Sequence, residues 1–316
     1  MNVDRTEILL KPDQRRVLFL PFKPVREDQI LKIAARVMSL TFDEVEKEIE
    51  EVNKEFGNRH SKLDEYYLKR FDQISSYLIS DRELRKERKM LIGAYFTQEY
   101  ALESAALFNP SIVVHPDQSN LPEGSVRFIL SLRATGEGHI SSIVFRSGTI
   151  DVNNSITIDN PARFVTAPEV IPNPNYEKQL FERKLVELGL DNEFANEVLS
   201  QLDNEFSFNE LEVCVESTLF NIRMRNGQNK LTANGILTLA QSNYEIVYDE
   251  DRHLSERIIF PHSPTETNGI EDARFVRFVN DDESYIYYAT YTAFDGKVIL
   301  PQLLETKDFL SFKVNT

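Results

Sequence analysis

The chain has 316 residues, of which 41% are hydrophobic and 28% charged, an ordinary composition for a folded protein. This length allows a large buried core and suggests about two domains. The net charge of −15 argues against a nucleic-acid partner, because a polyanion would be repelled wherever no basic stripe compensated for the acidic surface.

Cysteine, histidine and the N-terminus exclude several further classes. Cys214 is the single cysteine, so the chain has no intrachain disulfide and no cysteine-based metal site. The five histidines are scattered without an i, i+4 pair, and we expect no metal. The N-terminus lacks the apolar core of a secretory signal, and no apolar run reaches the roughly 18 residues that span a bilayer. We expect a cytoplasmic protein with no membrane partner.

Helical periodicity fills the first third of the chain. From about Arg26 to Leu107, apolar residues recur at three- and four-residue spacing, and glycine and proline are almost absent. Thr41 is a suitable N-cap for a helix with acidic residues in its first turn. The pattern predicts an N-terminal helical subdomain over residues 1–107.

The pattern changes to short strands after Phe108. Runs rich in β-branched and aromatic residues cover 111–114, 126–133 and 140–146, separated by turns that carry Pro, Gly, Asp or Asn. A meander of about four such strands is one blade of a propeller or half of a sandwich. Helical periodicity returns from about residue 176, and strands resume at about residue 242.

These patterns together predict a mainly β body with helical additions. We expect an incomplete propeller over 108–316, interrupted by a helical insertion at about 174–235. The strands make only about two blades, whereas a propeller needs at least four to close. The sequence is therefore expected to end within the propeller.

The strongest concentration of polar chemistry is the segment that contains Glu271, Asp272 and Arg274. It precedes a strand, and a tyrosine-rich strand that ends in an Asp-Gly turn follows it. Because neighbouring side chains of an extended segment point to opposite faces, we expect Asp272 to share a face with Arg274 and not with Glu271. A salt bridge at the start of a strand is the structural alternative.

A second candidate segment begins at Arg133, at the end of a strand. A turn with two glycines follows it and carries Glu137 and His139, which are candidate pocket residues. Glycines let a backbone approach a ligand closely, although an ordinary hairpin turn explains the same pattern.

Several pieces of the sequence, in order, resemble glycoside hydrolase family 130, the five-bladed propellers that include β-mannoside phosphorylases and mannosidases. The matching pieces are Phe108-Asn109-Pro110, Leu132-Arg133-Ala134, Asn268-Gly-Ile-Glu-Asp-Ala-Arg274, Tyr288-Ala-Thr-Tyr-Thr-Ala-Phe-Asp295 and Leu304-Glu-Thr-Lys-Asp-Phe-Leu-Ser-Phe312. The resemblance covers the chain from about Phe108 onward, apart from the helical insertion. The ordered set is specific, whereas no single piece is.

The resemblance implies a carbohydrate-active enzyme that cleaves β-mannosidic bonds by inverting phosphorolysis and releases mannose 1-phosphate. Asp272 matches the general acid. The implied substrate-binding residues are Asn109, Arg133, Glu271, Arg274, Tyr291 and Asp295. Inorganic phosphate would be the co-substrate, a mannoside the partner, and no cofactor would be needed.

Two departures from the family pattern limit this interpretation. Ala273 replaces the proline of the Glu-Asp-Pro-Arg motif. The phosphate-anchoring residues of the family come from later blades, which would follow Thr316, so hydrolysis by a mannosidase of the same fold remains an alternative.

Two other functions stay open. A related five-bladed glycosidase clan would need an aspartate where this chain has Asn109. The second of these functions is that of a non-catalytic sugar-binding or interaction module. We also expect that the helical regions could support a homo-oligomer.

Overall fold

The computed structural model describes residues 6–78, 83–221 and 226–316. The chain is mixed α/β, with about 35% helix and 30% strand and one large sheet. The helical part is thus as large as the β part. The chain forms two compact units, one that ends at Ala106 and one that begins at Leu107, close to the boundary expected after residue 107. Two short segments, Thr135–Gly138 and Ala162–Thr166, group with the first unit.

Within residues 6–78 and 83–106, the first unit has four α-helices and a two-stranded antiparallel ribbon. Its elements are β1 (Val17–Pro21), α1 (Glu27–Met38), α2 (Phe42–Phe56), α3 (Leu63–Ile74), α4 (Lys86–Tyr95) and β2 (Thr97–Ala101). The predicted cap at Thr41 is confirmed, because its side chain accepts from Glu44 N while the Glu44 side chain accepts from Thr41 N.

Helices α3 and α4 of this unit pack at very short range. A Cβ atom at Gly93 would lie 1.9 Å from the Tyr67 carbonyl oxygen, so only glycine fits at this crossing. The surrounding core contains Val37, Val45 and Leu91, none of which is exposed to solvent. Helix packing, rather than helix propensity, therefore holds this unit together.

His60 makes the stability of the first unit depend on pH. Its ring stacks on Phe19 at 3.4 Å, and Nε2 lies 2.7 Å from Glu99 Oε1. Burial lowers the pKa of His60, and the contact with Glu99 offsets part of this effect. The unfolded chain therefore takes up the proton more readily than the folded chain. The stabilising contribution is present above the ordinary histidine pKa of about 6.5 and is lost as the pH falls through the folded-state value.

We accordingly expect the free energy of unfolding to fall between pH 7.5 and pH 5. The loss should be smaller in His60→Gln, which has no titrating ring. Urea denaturation of both proteins at each pH measures the difference. An identical pH dependence in the two proteins would show that His60 does not contribute.

The second unit combines a large sheet with four helices. Its strands are β3 (Ala106–Val114), β4 (Val126–Thr135), β5 (Ser141–Ile150), β6 (Ile156–Ile158), β7 (Glu169–Pro172), β8 (Tyr176–Glu177), β9 (Glu205–Phe206), β10 (Tyr244–Val247), β11 (Ile258–Ile259), β12 (Gly269–Val279), β13 (Tyr285–Phe294), β14 (Ile299–Thr306) and β15 (Ser311–Asn315). The helices are α5 (Lys178–Glu187), α6 (Glu193–Ser200), α7 (Phe208–Phe220) and α8 (Gly227–Gln241).

The sheet consists of two meanders that meet at one point. Its order is β3-β4-β5-β12-β13-β14-β15-β10-β7, with β6 and β11 also paired to β5. Strands β3 to β6 follow one another along the chain, as do β12 to β15. The two series join through a single parallel pair, Gly269 with Ser141. A Cβ atom at Gly269 would lie 2.8 Å from Ser141 N, and the φ of 132° is one that side chains rarely allow, so the close approach requires glycine.

Helices α5 to α8 lie where the periodicity placed the helical insertion. They have a core of their own, with Phe194, Val198, Leu211 and Ile236 fully buried. The sheet core is separate and contains Phe145, which stacks on Phe312. Within the described residues, no helix is both long and apolar enough to cross a membrane.

Candidate functional site

Three segments that are distant in sequence meet at one carboxylate. Asn109 Nδ2, from β3, donates to Asp272 Oδ1 at 2.5 Å. Arg133 Nη1, from β4, lies 3.4 Å from the same oxygen. Arg133 Nη2 also donates to Glu271 Oε1. The cluster therefore consists of Asn109, Arg133, Glu271 and Asp272, and we refer to these four residues as the carboxylate cluster.

The prediction that Glu271 and Asp272 point apart is wrong, because the backbone is not regularly extended here. The pairing of β12 with β13 shifts between Glu271 and Arg274, which marks a β-bulge. Asp272 has a φ of 56°, in the left-handed region that Asn and Asp tolerate better than other side chains. A bulge adds one residue to a strand and changes the direction of its side chains. As a result, both carboxylates contact Arg133.

Asn109 has the same unusual backbone geometry, with a φ of 52°. Both partners of the Asn109–Asp272 hydrogen bond thus adopt a conformation that costs energy in most residues. Such conformations persist only where the surrounding structure fixes them, and they are concentrated at functional sites.

Arg274 lies next to the carboxylate cluster but does not pair with Asp272 as the alternation predicted. Its Nη1 donates to the Pro110 carbonyl oxygen at 2.7 Å. The following backbone N–H, of Phe275, donates to Ser111 Oγ at 3.0 Å. These contacts tie β3 to β12. Arg274 therefore holds the part of β3 that carries Asn109.

Two residues for which the sequence predicted no role hold Arg133 in place. Its Nε donates to Ser141 Oγ at 2.9 Å, and its guanidinium lies 4.9 Å from the ring centre of Phe108. Phe108 directly precedes Asn109, so its place in the Phe108-Asn109-Pro110 motif was the only feature of the sequence that pointed to it. Ser141 had none, because its position depends on the parallel pairing of β5 with β12.

The carboxylate cluster is open on one side. The side chains of Asp272 and Glu271 are 41% and 27% exposed, and that of Arg133 is 19% exposed. Among the described residues, neither Asp272 Oδ2 nor Glu271 Oε2 has a hydrogen-bond partner. The site thus offers two free carboxylate oxygens beside a fixed guanidinium and amide, which suits a ligand rich in hydroxyl groups.

Tyr291, an implied substrate-binding residue, lies elsewhere. It is 3% exposed, and its hydroxyl donates to the buried Glu266. Glu266 also accepts from the Tyr244 hydroxyl at 2.9 Å and from the backbone N–H groups of His262 and Ser263 at 3.0 and 2.9 Å. Burial, followed by the nearby Glu266, raises the pKa of Tyr244 and Tyr291 well above the ordinary value. Tyr291 therefore belongs to a buried network, and its hydroxyl contacts Glu266 rather than a residue of the carboxylate cluster.

Asp295, also implied to bind substrate, stabilises a turn. Its Oδ1 accepts from Lys297 N at 2.7 Å and from Val298 N at 2.6 Å. These backbone hydrogen bonds lower the pKa of Asp295. The turn joins β13 to β14, so the side chain of Asp295 has a structural role in holding this turn.

The two glycine-turn candidates are on opposite sides of the unit boundary. Glu137 groups with the first unit and His139 with the second. Both are exposed, and His139 has a φ of 61°. Neither makes a hydrogen bond to the carboxylate cluster within the described residues.

Comparisons with known proteins add no assignment. No known protein family, curated protein or solved structure matches the chain. Across the described residues, no group of three or more His, Cys, Asp or Glu side chains could hold a metal ion.

Proposed function

We propose that the protein is a carbohydrate-active enzyme that cleaves β-mannosidic bonds at the carboxylate cluster. The observation that carries the proposal is the convergence of Asn109 and Arg133 on Asp272 Oδ1. The family resemblance implied that these three residues act together, although 163 and 139 positions separate the first two from Asp272.

The proposal includes a fold assignment. We interpret β3 to β6 and β12 to β15 as two blades of a five-bladed propeller. Each series is a four-strand meander, the unit from which propellers are built. The carboxylate cluster joins the first strands of the two meanders, β3 and β12, with the end of β4.

Asp272 would act as the general acid in the proposed reaction. Asn109 and Arg133 occupy Oδ1 and leave Oδ2 to carry the proton and face the ligand. Asp272 would donate this proton, through a hydroxyl of the bound mannose, to the leaving oxygen. Phosphate would attack the anomeric carbon from the opposite face, forming the C1–O–P linkage as the glycosidic C1–O bond breaks. The products are mannose 1-phosphate and the shortened sugar.

The other members of the carboxylate cluster would bind and orient the sugar. Glu271 Oε2 and the Asn109 amide can hydrogen-bond hydroxyl groups, and Arg133 fixes both carboxylates through its two terminal nitrogens. Inorganic phosphate is the expected co-substrate. A cytoplasmic location and assembly through the helical regions remain predictions.

Isothermal titration with mannose and β-1,4-mannobiose tests the binding part of the proposal. We expect β-1,4-mannobiose to bind, and Arg133→Met to weaken binding at least tenfold, because the substitution leaves both carboxylates without their shared partner. Arg277→Met is the matched control, since Arg277 is an exposed arginine of β12 beyond the bulge. The absence of any mannoside binding would contradict the proposal.

Product analysis then separates the reactions. Mannose 1-phosphate, formed only when phosphate is present, would establish phosphorolysis. Free mannose formed without phosphate would establish the hydrolytic alternative. Mannoside binding without either product would establish the sugar-binding module.

A further inference from the structure

The second unit contains a cavity of about 630 Å³ that includes no residue of the carboxylate cluster. It is lined by the β3–β4 and β10–β11 loops, the β14–β15 turn, Arg127 of β4, Ser147 of β5 and Asp159 directly after β6. Five of its side chains carry N–H donors, namely His115, Arg127, Arg252, His253 and Arg257. Three are carboxylates, namely Asp117, Asp159 and Asp308. The volume is in the range of small-molecule sites.

The two histidines present the same kind of donor. His115 Nδ1 accepts from Asp117 N at 2.9 Å, and His253 Nδ1 accepts from Ser255 N at 3.4 Å. His115 Nδ1 also lies 3.1 Å from the Asp117 carbonyl oxygen and His253 Nδ1 lies 2.9 Å from Ser255 Oγ, so Nδ1 of either ring is held in place whether it accepts or donates. Burial and then the nearby Arg127 lower the pKa of His115, which keeps its ring neutral at pH 7.5. Among the described residues, Nε2 of neither ring has a hydrogen-bond partner, so it can donate to a ligand in the tautomer that carries the proton there.

Arg257 adds a positive charge without a carboxylate partner. Its Nη1 donates to the Phe309 carbonyl at 2.9 Å and its Nη2 to the Arg252 carbonyl at 2.7 Å. Among the described residues, no carboxylate lies within salt-bridge distance of its guanidinium. Arg257 is half-buried, and burial lowers its pKa, while the nearby Tyr248, Asp308 and Glu256 offset part of this effect. A half-buried cation of this kind is stabilised by an anionic ligand.

The three carboxylates of the cavity are partly engaged by the protein. Asp117 pairs with Arg127 at 3.2 Å, and Asp159 Oδ2 accepts from Ser147 Oγ at 2.6 Å. Asp308 Oδ1 accepts from the backbone N–H groups of residues 310 and 311. One oxygen each of Asp159 and Asp308 stays available as an acceptor, which suits hydroxyl groups of a ligand.

We propose that this cavity binds a small hydroxylated phosphate ester. The phosphate would lie against Arg257 and the Nε2–H groups of His115 and His253, and the hydroxyl groups would face Asp159 and Asp308. Arg257 makes hydrogen bonds to backbone carbonyls only, which favours an anion beside it, and the volume exceeds what inorganic phosphate fills. This site is independent of the proposed reaction at the carboxylate cluster.

Titration at pH 7.5 with glucose 6-phosphate, glucose and inorganic phosphate tests the proposal. Glucose 6-phosphate should bind, and glucose should bind at least tenfold more weakly because it lacks the phosphate. Inorganic phosphate should also bind more weakly than the ester, because it makes no contact with Asp159 or Asp308. Equal affinities for glucose and glucose 6-phosphate would overturn the assignment.

The variants His115→Asn and His253→Asn locate the site. Asparagine Oδ1 replaces Nδ1 as the acceptor of the backbone N–H, so the turns remain, while the Nε2–H is lost. Each variant should weaken glucose 6-phosphate binding at least tenfold, with an unchanged circular dichroism spectrum. Asp272→Asn should bind the ester as the wild type does. Wild-type affinity in both histidine variants would show that the ester does not bind in this cavity.

Discussion

Asp272→Asn is expected to lower kcat for β-1,4-mannobiose by about 10²- to 10⁴-fold, the usual contribution of a general acid. Asparagine keeps a carbonyl oxygen that can accept from Asn109 and Arg133, so the cluster should stay assembled. It has no proton to donate to the leaving oxygen. Mannoside affinity should therefore change far less than turnover, and steady-state kinetics combined with titration separates the two effects.

Glu271→Gln is the matched control for this substitution. Glu271 contacts the same guanidinium but is expected to bind sugar rather than donate the proton. The variant should raise KM and leave kcat within about tenfold of the wild type, because it removes binding rather than the acid. The opposite pattern, with an inactive Glu271→Gln and an active Asp272→Asn, would make Glu271 the acid.

The sequence predicted elements well where local chemistry decides the structure. Helix α2 begins at the predicted cap because Thr41 and Glu44 satisfy each other's backbone groups within one turn. The predicted strand run at 126–133 and the predicted tyrosine-rich strand lie within β4 and β13, since β-branched and aromatic residues at these positions pack on a sheet. Such patterns do not specify pairing, and the parallel contact of Gly269 with Ser141 had no local signal.

The candidate site shows the same limit. The order of the motifs brought Asn109, Arg133 and Asp272 into one hypothesis, and the structure places them in contact. Side-chain direction was predicted from strand alternation, which fails at the bulge because Asp272 has a positive φ. Alternation also does not distinguish a ligand-facing tyrosine from a buried one. The direction of the Tyr291 side chain therefore follows from its hydrogen bond to Glu266, which its position in the motif did not predict.

Glu266 is the residue with the clearest structural role that the sequence reasoning missed. Its signal was present, because Ser263-Pro264-Thr265-Glu266 has the spacing of a capping box with a proline in the first turn. The box explains the contact with Ser263 N. It does not explain the two tyrosine hydroxyls, which come from β10 and β13 and depend on the sheet topology.

Glu266→Leu is expected to destabilise the second unit by at least about 3 kcal/mol. The side chain is fully buried and accepts from two hydroxyls and two backbone N–H groups, all of which the substitution would leave without this acceptor. Each buried donor left unsatisfied costs about 1–3 kcal/mol. Glu266→Gln should cost less, because its amide oxygen still accepts from the backbone and a tyrosine hydroxyl can accept from its amide N–H.

Urea denaturation, followed by the circular dichroism of the sheet, measures these costs. Glu250→Leu is the control, since Glu250 is exposed and its substitution should change the free energy of unfolding by no more than about 0.5 kcal/mol. The consequence extends to the carboxylate cluster, because the turn that Glu266 anchors leads directly into Gly269 and the bulge at Asp272. Glu266→Gln should therefore weaken mannoside binding although residue 266 does not contact the cluster. A Glu266→Leu variant as stable as Glu250→Leu would show that water, rather than this network, satisfies the four donors.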